Sequence, residues 1–135
     1  MRYSLLIANA PDAWDPVPGS PDDRVISDWD AYTAALAAAG VLVTGAGLRG
    51  ADAATSVRLR GGKRLVTDGP FADTKEHLIG FYIIEVASLD EALDWAARMP
   101  NIRNGAVEVR PIWPVRMAHE SAGMQLVLAP ESPAR

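Results

Sequence analysis

Two short runs in this chain are apolar on both sides of a strand's alternation. In residues 3–8, YSLLIA, Tyr3, Leu5 and Ile7 fall on one side and Ser4, Leu6 and Ala8 on the other; further on, Phe81 and Ile83 oppose Tyr82, Ile84 and Val86. Successive strand side chains point to opposite faces, so strands of this kind belong inside a sheet that is covered on both faces. A lone sheet with one wet face does not fit them.

Helical periodicity separates the strands. Ser20 caps a first helix, Pro21 takes its first position and Asp23 the acidic place of a capping box. Val25, Ile26, Trp29, Tyr32, Thr33 and Leu36 recur at three- and four-residue spacing as one buried stripe, and Gly40 ends the helix as a left-handed cap. Ser88-Leu89-Asp90-Glu91 is a second capping box, opening a helix with Leu89, Ala92, Leu93, Ala96 and Met99 on its inner face and Pro100 at its close. The remaining strands are residues 41–48, 55–60, 63–67, 78–87 and 106–113. Gly61-Gly62 marks a hairpin between the third and fourth strands. Two glycines within 41–48 mark close approach of another backbone or a ligand.

The order strand, helix, strand, hairpin, strand, helix, strand predicts an α+β fold: a ferredoxin-like antiparallel sheet with two helices on one face. The other face, also apolar, then needs a cover, since an open one would be a large exposed patch. A homodimer packed sheet to sheet supplies it. The domain spans 1–114. In the tail, 115–135, the stretch GMQLVLA reads as a short strand or as a dimer arm laid on a neighbour.

The chain has 135 residues, enough for one domain with a real core. It has no cysteine, which excludes disulfides, thiolate metal sites and thiol nucleophiles. The net charge is −4 and the thirteen basic residues are scattered, so no nucleic-acid partner is expected. The N-terminal apolar run is too short for a membrane span or a signal peptide; the expectation is a cytoplasmic protein without membrane contact.

Chemistry concentrates in two places. Asp68-Gly69-Pro70-Phe71 is a turn in which Asp bonds its own backbone, Gly supplies unusual φ and Pro fixes the exit, with Phe71 buried behind it as a plug. Alternatively, Asp68 is an acid/base at a pocket mouth, given a shifted pKa. Glu108 and Arg110, two apart, share one strand face. They form a structural ion pair, with Glu85 or across the dimer, or else Arg110 faces a cavity and binds a carboxylate with its rigid fork. His77, near Asp68, Asp73 and Glu76, is the one histidine inside the domain and a natural proton carrier; the spacing fits no defined metal site, and no metal or cofactor is expected. Lys75 and Glu76 read as a solvated pair. Trp14, in a proline-rich loop, can close over a pocket, and Phe71 and Tyr82 complete the candidate ligand contacts with Arg110 and Glu108.

The run VTDGPFADTKEHLIGFYIIEVASLDEALDWAARMP followed by GAVEVRP resembles the YCII-related proteins of the Asp-Gly-Pro-Phe (DGPF) type, over residues 2–113. The resemblance implies a dimeric α+β barrel, bacterial origin and, for some members, association with extracytoplasmic-function sigma factors. The family has no generally established reaction. Its proposed His–Asp dyad does not transfer, because no histidine lies in the first half of this chain. Ile79 stands where the family reads glycine, which would narrow the space beside the loop. Three functions follow: a homodimeric small-molecule-binding domain, a cofactor-independent isomerase, lyase or hydrolase with Asp68 and His77 as acid and base, or a sigma-factor-linked regulatory module.

Overall fold

The computed structural model describes residues 1–10, 23–72, 74–103, 105–120 and 123–128, with side chains for all of these but 23–25 and 115–128. Trp14, Asp73 and the Ser20–Pro21 cap lie outside the described residues. The elements are β1 (Arg2–Asn9), α1 (Asp23–Ala38), β2 (Leu42–Gly47), β3 (Thr55–Arg60), β4 (Lys63–Asp68), β5 (His77–Glu85), α2 (Leu89–Ala97), β6 (Gly105–Pro111), β7 (Val115–Glu120) and β8 (Gly123–Leu128).

β1, β2, β5 and β6 form a four-stranded sheet in the order β2-β5-β1-β6, each neighbouring pair antiparallel. This is the ferredoxin-like arrangement, with the β3–β4 hairpin inserted between its second and third strands. The doubly apolar runs occupy the two central places, where strands are flanked on both sides.

One face of the sheet carries the core. Tyr3, Leu5 and Ile7 of β1 and Tyr82 and Ile84 of β5 pack with Tyr32 and Leu36 of α1 and with Ala92, Trp95 and Ala96 of α2. Both helices therefore cover the same face. Register places Ser4, Leu6 and Ala8 on the other face, beside Phe81 and Ile83 and beside Ala106, Glu108 and Arg110. No described helix packs there; Leu6, Phe81 and Ile83 remain outside the core cluster.

The helix ends follow their sequence signals. Gly40, at φ +71°, closes α1 in a Schellman motif, with Val41 N–H donating to the Leu36 carbonyl and Gly40 N–H to that of Ala37. Ser88 accepts from Glu91 N–H, and the Glu91 carboxylate accepts from Ala87 N–H, one residue before the usual capping-box donor.

The buried stripe of α2 differs from the expected one. Ala92, Trp95, Ala96 and Met99 are buried, whereas Leu89 and Leu93 are 47% and 45% exposed. Trp95 decides the rotation. Its ring meets Tyr32 edge-on at 6.3 Å, and the Tyr32 hydroxyl donates to the Trp95 carbonyl at 2.8 Å. Burying this larger surface turns the leucines outward.

The hairpin is as read: Gly61 and Gly62 both have positive φ, the mark of a type I′ turn, between β3 and β4. Of the two glycines in β2, Gly45 is the close approach, because a Cβ there would meet Tyr82 Cδ1 at 2.6 Å; Gly47 faces open space. Ile79 packs against the core cluster rather than narrowing the loop's surroundings; a bulge opposite Ile7/Ala8 accommodates it. In the tail, GMQLVL is a strand, paired with β7 of the same chain. Among the described residues no helix is long and apolar enough to cross a membrane.

Candidate functional site

On the open sheet face, β1 and β6 meet at the directly opposed pair Ala8 and Ala106. Two small side chains leave the sheet surface low at this point. Beyond them Glu108 rises from β6, and Thr74, Lys75 and Glu76, in the loop before β5, form a facing wall. The open cleft between them has a volume of about 640 Å³. The Thr74 hydroxyl donates to the Glu76 carbonyl and closes the tip of that loop.

The floor is held from the opposite side of the sheet. Asn101, just past α2, donates through Nδ2 to the Asn9 side-chain oxygen at 3.0 Å and to the Ala8 carbonyl at 3.3 Å, with the Ala106 carbonyl at 3.5 Å. One amide thus fastens both strands under the cleft. The Asn101 Oδ1 is buried without a partner among the described residues.

The charged rim is partly neutralised. Arg110 Nε donates to Glu108 Oε2 at 2.8 Å, both side chains well exposed. They pair with each other along one strand face rather than with Glu85, whose carboxylate accepts from Arg2 Nε at 2.8 Å and is held below the usual carboxylate range by that bond. Lys75 has no ion pair among the described residues, so it is the unmatched cation of the cleft.

A second cavity of about 340 Å³ lies between α1 and the residues after α2, lined by Asp28, Tyr32, Arg98 and Pro100 among others. Its polar groups are largely spoken for: the Arg98 guanidinium stacks over the Trp95 ring at 4.3 Å, and the Tyr32 hydroxyl is bonded to the Trp95 carbonyl. It offers less for a ligand to bind.

The other sequence-predicted residues are dispersed. Asp68 ends β4, is exposed, and makes no side-chain hydrogen bond among the described residues. The turn it precedes is held by Gly69 instead: φ is +98°, its N–H donates to the Ala54 carbonyl at 2.7 Å, and its carbonyl accepts from the Ser56 hydroxyl at 2.6 Å. Phe71 is 79% exposed rather than a buried plug. The Gly69-Pro70 exit carries it away from the core, and Arg58 holds its carbonyl at 3.0 Å. Tyr82 belongs to the core and not to the cleft, its hydroxyl 2.6 Å from Thr33 Oγ1. Even-numbered β5 positions near it face the helices.

His77 sits opposite Asn9, whose side chain bonds on the helix side; it therefore lies across the sheet from Glu108. Among the described residues no hydrogen bond or ion pair joins it to Asp68, and no three of their His, Asp or Glu side chains converge as a metal-ligand set. Sequence reasoning found Glu108 and Arg110 but missed Ala8, Ala106 and Thr74. The available signal was parity: Ala8 and Ala106 fall among the small residues on the face that the helices leave open.

The YCII-related domain family matches residues 1–116. An uncharacterised protein of Rhizobium meliloti (strain 1021) is 41% identical over 114 residues, which cover 83% of this chain and 92% of that protein. Among solved structures, 5-chloro-2-hydroxyhydroquinone dehydrochlorinase from Burkholderia phenoliruptrix AC1100, in complex with 2,5-dihydroxybenzoquinone, is similar at 21% identity and a TM-score of 0.45, over 83% of this chain and 93% of that one. Likeness of that degree carries nothing about chemistry.

Proposed function

The chain belongs to the YCII-related family, and from that premise we propose that it is a homodimeric small-molecule-binding domain. The ligand seats in the cleft between Ala8, Ala106, Glu108 and the Thr74–Glu76 loop. One observation carries this reading: the opposed alanines leave space on an apolar sheet face, and charged groups stand only at its edge. Sites that are mostly apolar with a few placed polar groups are the usual form of small-molecule pockets.

The ligand is a small anionic molecule with a flat apolar body. Lys75 supplies the unmatched cation, and the Arg110 fork stands next along β6, where Glu108 must yield it. A second copy packed over Leu6, Phe81 and Ile83 covers the rest of the open face, as apolar area of this kind requires. The cofactor-free enzyme reading has less support, because no bond joins Asp68 to His77 among the described residues and neither lines the cleft.

Thermal denaturation with benzoate and phthalate as probes tests the binding. A ligand that binds only the folded state raises the midpoint by mass action. The expected result is a rise that Lys75→Ala weakens and Ala106→Leu, which fills the floor, abolishes. A rise that survives Ala106→Leu unchanged puts the site elsewhere. Light scattering at micromolar concentration tests the dimer, and the mass of one 14.4 kDa chain rejects it.

A further inference from the structure

The β3–β4 hairpin has little to lean on. Val57 pairs with Val66, and Leu59 stands opposite Arg64, so Val57, Leu59 and Val66 share one face. Val57 and Leu59 are 64% and 71% exposed. Arg60 and Lys63 face each other beside the turn, and neither they nor Arg64 form an ion pair among the described residues. The hairpin concentrates four cations, with Asp68 as its one acid, whereas the rest of the chain has nine basic and sixteen acidic residues. A two-stranded ribbon with neither face packed is marginal in water.

A second surface is left without a partner. On α2, Leu89 and Leu93 lie one turn apart and exposed, each followed by an aspartate, Asp90 and Asp94. These two aspartates are also exposed and unpaired among the described residues. Like charges at this spacing disfavour the helix on their own.

We infer that the two surfaces meet in trans: the hairpin of one copy lies along α2 of another. Val57, Leu59 and Val66 cover Leu89 and Leu93, while Arg64, on the same hairpin face, answers Asp90 and Asp94. Within one chain both surfaces stay exposed, so the contact is made between copies. A two-fold axis repeats it and closes the assembly. An acidic polymer or an anionic lipid surface would match the cations but leave the α2 leucines in water; a second copy satisfies both surfaces. The inference rests on the homodimeric reading above and adds a contact distinct from the open sheet face. Charges at such a rim fix partner and register.

The test is the association of the full chain, measured by sedimentation velocity across micromolar concentrations, with circular dichroism confirming the fold of each variant. Arg64→Glu and Asp90→Lys/Asp94→Lys each weaken association by about tenfold or more, the equivalent of one decade in Kd. The triple variant, which reverses both sides, regains the wild-type constant. Reversal variants of either side that associate like the wild type overturn the hairpin contact while leaving the covered sheet face standing. A triple variant as weak as its parents overturns it too. A wild-type chain that stays at one-chain mass overturns this contact and the homodimeric reading together.

Discussion

The Asn101 side-chain amide donates to the Asn9 side-chain oxygen at 3.0 Å, joining the end of the central strand to the turn that follows α2. The turn closes tightly on itself, with Gly105 N–H donating to the Asn101 carbonyl at 2.8 Å. No side chain fits at Gly105. A Cβ there would fall against the Ala8 carbonyl and Asn9 Oδ1, with Asn101 Nδ2 at 2.9 Å. Gly105→Ala should therefore cost about 1–3 kcal/mol, as overpacking against backbone does. Urea unfolding monitored by tryptophan fluorescence measures it. A change under about 0.5 kcal/mol, the range of neutral surface substitutions, would mean that the strands part easily here.

The Asp-Gly-Pro-Phe turn separates its own residues. Gly69 holds the turn, at a φ of +98° that L side chains rarely adopt, so Gly69→Ala should lose about 1–2 kcal/mol. Asp68→Asn, at an exposed carboxylate with no bond in the described structure, should stay within about 0.5 kcal/mol. Equal losses from the two variants would return the turn to Asp68.

Tyr32 gives the protein a sensitivity to alkali. Burial, with a lesser push from neighbouring Tyr82, raises its phenol above the ordinary value. A group whose pKa is raised on folding adds stability that is complete below its unfolded value, about 10 for tyrosine. That stability is lost as pH rises above this value. Stability should therefore fall above about pH 10, and Tyr32→Phe should flatten that part of the profile. The variant should also lose about 0.5–1.5 kcal/mol at neutral pH for the bond to Trp95. Chemical denaturation at stepped pH checks both; an unchanged alkaline slope in Tyr32→Phe would place the titration elsewhere.

The Glu108–Arg110 pair should matter little to stability. Both side chains are exposed, and such pairs contribute about 0–1 kcal/mol. A double-mutant cycle with Glu108→Ala and Arg110→Ala should give a coupling energy in that range. A coupling well above it would mean that the pair is buried in the assembled protein.

Much of this architecture was legible from alternation and capping. The runs at Tyr3 and Phe81 marked strands, Gly61-Gly62 a tight hairpin and Ser88 the start of α2; each is found at those residues. The face of α2 was not legible. A nine-residue helix containing Leu89, Ala92, Leu93, Trp95 and Ala96 has apolar residues around most of its circumference, and only the position of the Tyr32 ring selects among them. Tyr82 resembled a ligand contact by residue type, but its parity with Ile84 already assigned it to the core. The cleft was hardest to foresee, because it is made by what Ala8 and Ala106 lack. Lys75 and Glu76 look like ordinary solvated charges until the fold sets their loop opposite those alanines.

The central place of β1 has a consequence for how the chain reaches its native state. Tyr3 pairs with Ile84 on one side and with Pro111 on the other, so the domain's first strand waits for partners near its far end. Contacts of such sequence separation slow folding. The YSLLIA run stays unpaired until β5 and β6 are made, and an unpaired apolar strand is open to aggregation for that interval.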